Sequence, residues 1–430
     1  MPGGRTGAEE SGHAFAVAAL AGCLVGLVGG GFRWCLEHAD RLRGSLLDVS
    51  TVLGPAAWLL PVLLTAVGAT VACWIGLRVP HSAGSGIPHV QTVWRKETEP
   101  HVRWLVTAKF TGGLIAIGSG LVLGREGPIV HMGATIGSWA GRWSRVCGED
   151  ARLLHAALGG AGLAAAFSAP LGGLVFICEE VTHSVRPRMV LLTLVSTVTA
   201  VVCAQAIVGD EPVFGVPPLS APPLWSLPVF LVFGVTAGVL GAGYGALVVG
   251  TFRVCNERLG RVPVLARAAG IGAVVGGLMA FEPLLAGGGD PLSEWLSEGR
   301  SITVAGLVVF LAVRFAAGPL SYAAATPGGL FAPLLALGAL WGALVHELLS
   351  PLLSDGSMGP SVFAVVGMAA LFTGVVRAPL TGIVLLVEMT GSATLLIPLM
   401  TACFAASLTA DRLGSEPVYE SLRRRMGERL

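Results

Sequence analysis

GREGPIVHMGATIG, Gly124 to Gly137, is answered 205 positions later by GLFAPLLALGALWG, Gly329 to Gly342, which keeps the first glycine, the proline, the Gly-Ala pair and the last glycine. Two more motifs return in the same order. GSGIP at Gly84 to Pro88 returns as GGGDP at Gly287 to Pro291, an offset of 203, and APLGGLVFICE at Ala169 to Glu179 returns as APLTGIVLLVE at Ala378 to Glu388, an offset of 209. Three matches at nearly constant spacing point to a duplicated unit, with one half over 1–210 and the other over 211–430. Spacing alone leaves parallel and inverted halves both open. Duplication of this kind marks transporter folds, whose substrate site lies near the bilayer midplane where the repeats meet and helices are broken.

Composition agrees with a membrane setting. Of 430 residues, 53% are hydrophobic and 12% charged, about half the charged share of a soluble domain. A spanning helix needs about 20 apolar residues, and such runs recur at Ala14 to Phe32, Val52 to Leu77, Trp104 to Leu123, Val190 to Val208, Val229 to Val249, Val262 to Leu285, Ile302 to Leu320 and Phe331 to Leu349. The expected fold is an all-α, multi-pass membrane bundle. The first run follows Glu9 and Glu10 rather than a basic segment and is read as a retained helix. Eight scattered cysteines without a CxxC pair read as small packing residues. A net charge of +1 gives no reason to expect nucleic acid as a partner, while Arg423, Arg424, Arg425 and Arg429 near the end place the C-terminus on the cytoplasmic side.

Each repeated motif sets a proline behind a glycine-bearing turn, at Pro88, Pro128 and Pro333, and more loosely at Pro170 and Pro379. Proline suits the first helical position, where its missing N–H costs nothing, so these are read as helix starts. Helix N-termini present free N–H groups and partial positive charge, a site for an anion that needs no full cation. Irregular backbone inside a membrane is tolerated only where protein or a water-filled cavity satisfies it. Several broken helix starts therefore predict an internal site for a negative occupant. Glu126 sits in one such turn, where its carboxylate would compete with that occupant and leave on protonation, serving as gate and proton carrier. The halves share glycine and proline but differ in polar residues: Ser85 faces Gly288, Glu126 faces Phe331 and Glu180 faces Met389. Glu179 and Glu388 recur in both halves and read as structural.

With GSGIP, GREGP, GGLFAP and the tyrosine of EPVYESL, the chain resembles the CLC family of chloride channels and proton-coupled chloride transporters from about residue 14 to residue 422. The resemblance implies an inverted-repeat bundle of tilted and broken helices, one pore per subunit of a homodimer, and no cofactor. It implies that Ser85, beside Gly84, and Tyr419 coordinate a central chloride together with amides of Leu330, Phe331 and Ala332. Glu126 matches the external gate, with the amides of Arg125 and Gly127 around it, and Glu180 matches the internal proton-transfer glutamate of exchangers. Serine at position 85 goes with chloride preference in the family. The resemblance thus implies chloride–proton exchange across the cell membrane, with a passive chloride channel as the alternative. His89 and Gln91 depart from a stretch that is often acidic in relatives. Only eleven residues follow Tyr419, so a paired cytoplasmic regulatory domain is not expected.

An intramembrane enzyme is the distant alternative. The sequence lacks HExxH and GxSxG and has no metal-ligand spacing. His131, alone among apolar neighbours, reads as a packing residue, and Lys109 and Arg314 read as structural cations.

Overall fold

A computed structural model describes residues 7–100, 103–217, 219–300, 302–352 and 358–427. Within them lie seventeen α-helices and two isolated β-bridges. The first eight are α1 (Gly7–Ser50), α2 (Leu59–Arg78), α3 (Ile87–Trp94), α4 (Leu105–Gly118), α5 (Glu126–Trp143), α6 (Gly148–Phe167), α7 (Pro170–Phe176) and α8 (Pro187–Val208). The rest are α9 (Leu227–Glu257), α10 (Val264–Phe281), α11 (Asp290–Ser297), α12 (Val304–Tyr322), α13 (Phe331–Leu349), α14 (Pro360–Val376), α15 (Pro379–Thr390), α16 (Leu396–Arg412) and α17 (Val418–Gly427).

Among the described residues, seven helices are long and apolar enough to cross a membrane. Their outward residues, among them Leu63, Val67, Leu231, Val239 and Val308, are exposed hydrophobics suited to lipid tails. Others depart from simple spans. Helix α1 runs for 44 residues, roughly 66 Å at 1.5 Å per residue, twice the thickness of the hydrocarbon core, so it cannot lie along the membrane normal within it. The run expected over Trp104 to Leu123 is helical only to Gly118, because the chain then turns through Gly120 at φ 110° toward α5. Helices α3 and α11 have eight residues each, about 12 Å, and start from buried glycines, Gly86 and Gly289, inside the protein. Helix α6 belongs to none of the expected runs. It opens with Glu149, Asp150 and Arg152 and is then rich in glycine and alanine, yet it is buried from Leu153 to Phe167.

Equivalent motifs adopt equivalent backbones. Gly86 (φ 92°) and Gly289 (φ 101°) both precede the eight-residue helices in the left-handed region, which glycine enters without steric cost. Helices α6 and α14 both end on left-handed residues, Ser168 and Arg377, followed by near-identical Ala169 (φ −125°, ψ 82°) and Ala378 (φ −119°, ψ 74°) ahead of Pro170 and Pro379. The Gly-Ala pair shared by the longest motif has a packing role. A Cβ on Gly133 would overlap the Leu158 carbonyl of α6, and one on Gly338 the Gly367 carbonyl of α14. Small residues let α5 lie directly on α6 and α13 on α14, the close approach that dispersion forces require between helices in lipid.

The helix starts differ slightly from the prolines that announce them. Pro88 is second in α3, and Pro128 and Pro333 are third in α5 and α13, so Glu126 and Phe331 open their helices and lie in the anion-attracting first turn. Cysteine packing holds for Cys73, Cys255 and Cys403, which are buried, whereas Cys147 is exposed ahead of α6. Arg429 lies outside the described residues.

Candidate functional site

Four helix-initiating loops are hydrogen-bonded into one cluster. The Gly84 amide donates to Thr326 O (2.9 Å) and the Gly328 amide to Gly84 O (3.1 Å), tying the turn before α3 to that before α13. Gly124 and Gly329 exchange both backbone bonds, at 2.7 and 2.8 Å, tying the start of α5 to α13, and the Gly287 amide donates to Gly120 O (2.8 Å), bringing in the turn before α11. Buried cations hold the loops from behind. Lys109 Nζ donates to Gly84 O at 2.6 Å, and Arg314 donates to the carbonyls of Leu284, Ala286 and Gly287 at 2.7, 3.1 and 3.0 Å. Lys109 therefore does not reach out to an interface. Both cations donate to carbonyls of the loops that lead into helix starts.

Glu126 is fully buried, and its Oε2 accepts from the Ala332 amide in the first turn of α13 (3.3 Å). Its Oε1 has no hydrogen-bond partner among the described residues. The same holds for Ser85 Oγ and for Tyr419 Oη on α17, both in fully buried residues. Buried polar atoms are nearly always bonded, so these three oxygens each have capacity for a further polar contact. Gly127 keeps the space beside Ser85 open, since a Cβ there would overlap Ser85 Oγ and lie 2.9 Å from Ser85 O. Leu330 and Phe331 are fully buried beside Ala332, and the Phe331 ring packs on Phe372 and Phe167 with centroids 4.3 and 5.1 Å away. The backbone at the head of α13 is thereby fixed by an aromatic anchor. Arg125 turns its guanidinium away to Asp290 (3.3 Å). That pair borders a cavity of about 210 Å³ also lined by Asp40, Arg43 and Gly124. Asp290 was missed by sequence reading, although an acid in GGGDP where GSGIP carries Ile87 is its visible signal.

Glu180 is buried in a π-helical turn, Ile177–Val181, that continues α7. Gln91 Nε2 donates to its Oε1 (3.0 Å) and its carbonyl (2.9 Å). The neighbouring Glu179 takes a different partner. Its carboxylate accepts from the Leu380 and Thr381 amides at the start of α15 (3.1 and 2.7 Å), while Glu388 accepts from the Leu171 and Gly172 amides at the start of α7 (3.0 and 2.6 Å). Each half caps a helix of the other, as the structural reading of both acids expects. His131 is not a lone histidine: its Nε2 meets His89 Nδ1 at 2.9 Å.

Tyr419 is delivered by α17, which an ionic cluster pins. Arg423 pairs with Glu97 at 2.7 Å and with Glu420, and Arg95 reaches Glu420 at 3.4 Å. The hydrogen bond from Arg423 holds the Glu420 carboxyl below its usual range, with Arg423, Arg95 and Arg424 charges adding to it against partial burial.

The profile of the voltage gated chloride channel family matches residues 68–411. The H(+)/Cl(-) exchange transporter ClcA of Vibrio parahaemolyticus is 36% identical over 418 residues, covering 94% of this chain and 88% of that one. A solved structure, a slow cyanobacterial Cl-/H+ antiporter, superposes with a TM-score of 0.88 at 29% identity, over 96% of this chain and 98% of that one. A CLC-type fluoride/proton antiporter, at 20% identity and a TM-score of 0.78, shares the fold over 97% of this chain and 99% of its own. With seven candidate spans among the described residues, a profile match over most of its length and a relative 36% identical across it, this multi-pass membrane protein belongs to the voltage gated chloride channel family.

Proposed function

We propose that the protein exchanges chloride for protons across the cell membrane. The observation that carries this reading is the Glu126 carboxylate resting on the Ala332 amide, with Ser85 Oγ and Tyr419 Oη buried and unpartnered among the described residues. Chloride bound to Ser85, Tyr419 and the amides of Leu330, Phe331 and Ala332 needs no full positive charge, and a site built from neutral donors lets the ion leave again. Gly84, Arg125 and Gly127 contribute backbone to the same loops. Protonation of Glu126 frees the amide for an anion and carries the proton, and Glu180 is the acid on the opposite, inner limb.

A passive channel would share every anion contact. The buried Glu180, held by Gln91, favours exchange, because a carboxylate at membrane depth is costly and marks proton relays. The protein acts as a transporter rather than an enzyme, needs no cofactor, and takes chloride, protons and membrane lipid as its partners. The halves 1–210 and 211–430 are duplicated units, and the C-terminus with its arginines faces the cytoplasm. The molecule works as a homodimer in the membrane.

The test is proton movement in liposomes holding the purified protein, with a chloride gradient imposed and valinomycin present to control voltage. Exchange predicts uphill proton movement driven by chloride, abolished in Glu126→Gln and weakened in Glu180→Gln. Rapid chloride flux without proton movement would establish a channel.

A further inference from the structure

The cavity of about 210 Å³ bordered by Arg125 and Asp290 lies against Glu126. Gly124 forms part of its wall, and a Cβ on that glycine would overlap Glu126 Oε2. At about 30 Å³ per water, the cavity has room for several waters and for a side chain to turn. Four charged residues line it: Asp40, Arg43, Arg125 and Asp290. Asp40 and Arg43 pair with each other at 2.7 Å, and Arg43 also donates to Gly118 O (2.9 Å). Among the described residues, Arg125 has its one ion pair with Asp290 (3.3 Å), and its Nε is buried without a hydrogen-bond partner. Asp290 and Glu126 are the acids that act on this guanidinium most strongly, ahead of Glu37 and Asp40 of α1. One cation thus stands between two acids and pairs with the one that is not the gate.

We propose that Asp290 is a positioning residue of the exchange cycle: it holds the Arg125 guanidinium off the gate, so that the Glu126 carboxylate can take up a proton and leave the α13 amide. This rests on the reading of Glu126 as the gate. A guanidinium carries five N–H donors in a fork that fits a carboxylate bidentately, and such charge-assisted pairs are the strong ones. Released from Asp290, Arg125 would turn that fork on the ionised Glu126 beside it, and a gate so clamped resists both protonation and departure. Charge acts in the same sense. With Asp290 in place the gate faces a neutral pair; without it, the gate faces a bare cation. The remaining neighbours are the same in both cases. On α1, Arg33 donates to Ala165 O and Ser168 Oγ (3.2 and 2.9 Å), Asp40 is taken by Arg43, and Glu37 acts on both Arg33 and Arg125. Lys109 of α4 is turned to Gly84 O, His155 of α6 to Ser138 Oγ (2.7 Å) and His89 of α3 to His131. Tyr419 of α17 faces Glu126, and the first turn of α13 holds no acid. Asp290 also opens α11, where an acid suits the helix dipole, but the matching helix of the first half starts with Ile87 at that position.

The experiment measures chloride flux from liposomes holding the purified full chain, with valinomycin present and equal pH on both sides, stepped from about pH 8 to about pH 4. Asp290→Asn keeps the shape and removes the charge. The pH of half-maximal flux should move to acid by at least about one unit, the lower end of what an adjacent opposite charge does to a carboxylate, and Asp290→Glu should restore it. A midpoint that stays in place, even at lower total flux, shows a merely structural acid and refutes the proposal while leaving the gate reading standing. In Glu126→Gln protein, which lacks the titrating gate, Asp290→Asn should shift nothing, and a shift that persists there refutes action through the gate. A wild-type profile that Glu126→Gln leaves unchanged refutes the reading of Glu126 and the proposal with it. Should Asp290→Asn fail to fold, Arg125→Gln serves instead. The charge of Asp290 then faces the gate uncompensated, so the midpoint must move to alkaline, and an unmoved or acid-shifted one overturns the proposal.

Discussion

Replacing Glu126 by glutamine should tighten chloride binding at neutral pH. The carboxylate holds the amide of Ala332 through Oε2 at 3.3 Å, longer than the usual charge-assisted bond of about 2.7–2.9 Å. Such bonds contribute roughly 1.5–3 kcal/mol, and the length places this one near the low end, about 1.5 kcal/mol. Chloride must displace it to use the same amide, so its apparent affinity is lowered by roughly ten-fold, given about 1.4 kcal/mol per decade. Glutamine keeps the shape and removes the charge. Calorimetric titration at pH 7 should then show chloride binding about ten-fold tighter in Glu126→Gln, and the gap should close on acidification, because protonating the native acid removes the same charge. Equal or weaker binding in the variant at pH 7 would refute competition for the α13 amide.

Four further outcomes follow from individual contacts. Gly127→Ala drives a methyl group into Ser85 Oγ and to within 2.9 Å of its carbonyl, and overpacking of about 1–3 kcal/mol should weaken chloride binding by about five-fold or more in the same titration. Gln91→Ala removes the side-chain donor to Glu180; at about 1 kcal/mol per lost bond, the coupled proton rate in liposomes should fall several-fold while chloride binding changes less than about two-fold. Glu179→Ala or Glu388→Ala strips two amide partners from the start of α15 or α7, and each should cost about 0.5–2 kcal/mol, read as a lower melting temperature. Glu420 has a depressed pKa through Arg423, so its stabilising share is full above the unfolded value near about 4.3 and is lost as pH falls through the folded one. Hydrogen exchange corrected for intrinsic rates should show α17 loosening only below about pH 4.5, and Arg423→Ala should loosen it already at neutral pH.

The repeated motifs made the broken helix starts legible because glycine and proline impose backbone geometry locally, whatever surrounds them. Gly86 and Gly289 adopt the same left-handed turn ahead of helices of equal length, and nothing beyond the two quoted motifs is needed to expect it. Hydropathy likewise located the long lipid-facing helices, since a bilayer demands an uninterrupted apolar length. It could not find α6, whose glycine- and alanine-rich run is buried by neighbouring helices rather than by lipid.

What the sequence determined by itself was therefore the membrane setting, the repeat, the helix starts and the candidate acids Glu126 and Glu180. Tertiary structure alone decided partnership: Glu126 on Ala332, Glu180 on Gln91, Arg125 on Asp290 and His131 on His89. The first pair is 206 positions apart, and no local propensity encodes such a distance. The physical reason is that buried polar atoms must find partners wherever packing brings them, and that packing is fixed by glycine-lined helix contacts such as Gly133 on Leu158 and Gly338 on Gly367. Ser85 Oγ, Tyr419 Oη and Glu126 Oε1 are among the buried atoms that this settlement leaves without a partner among the described residues, and the chloride site proposed above is built on them.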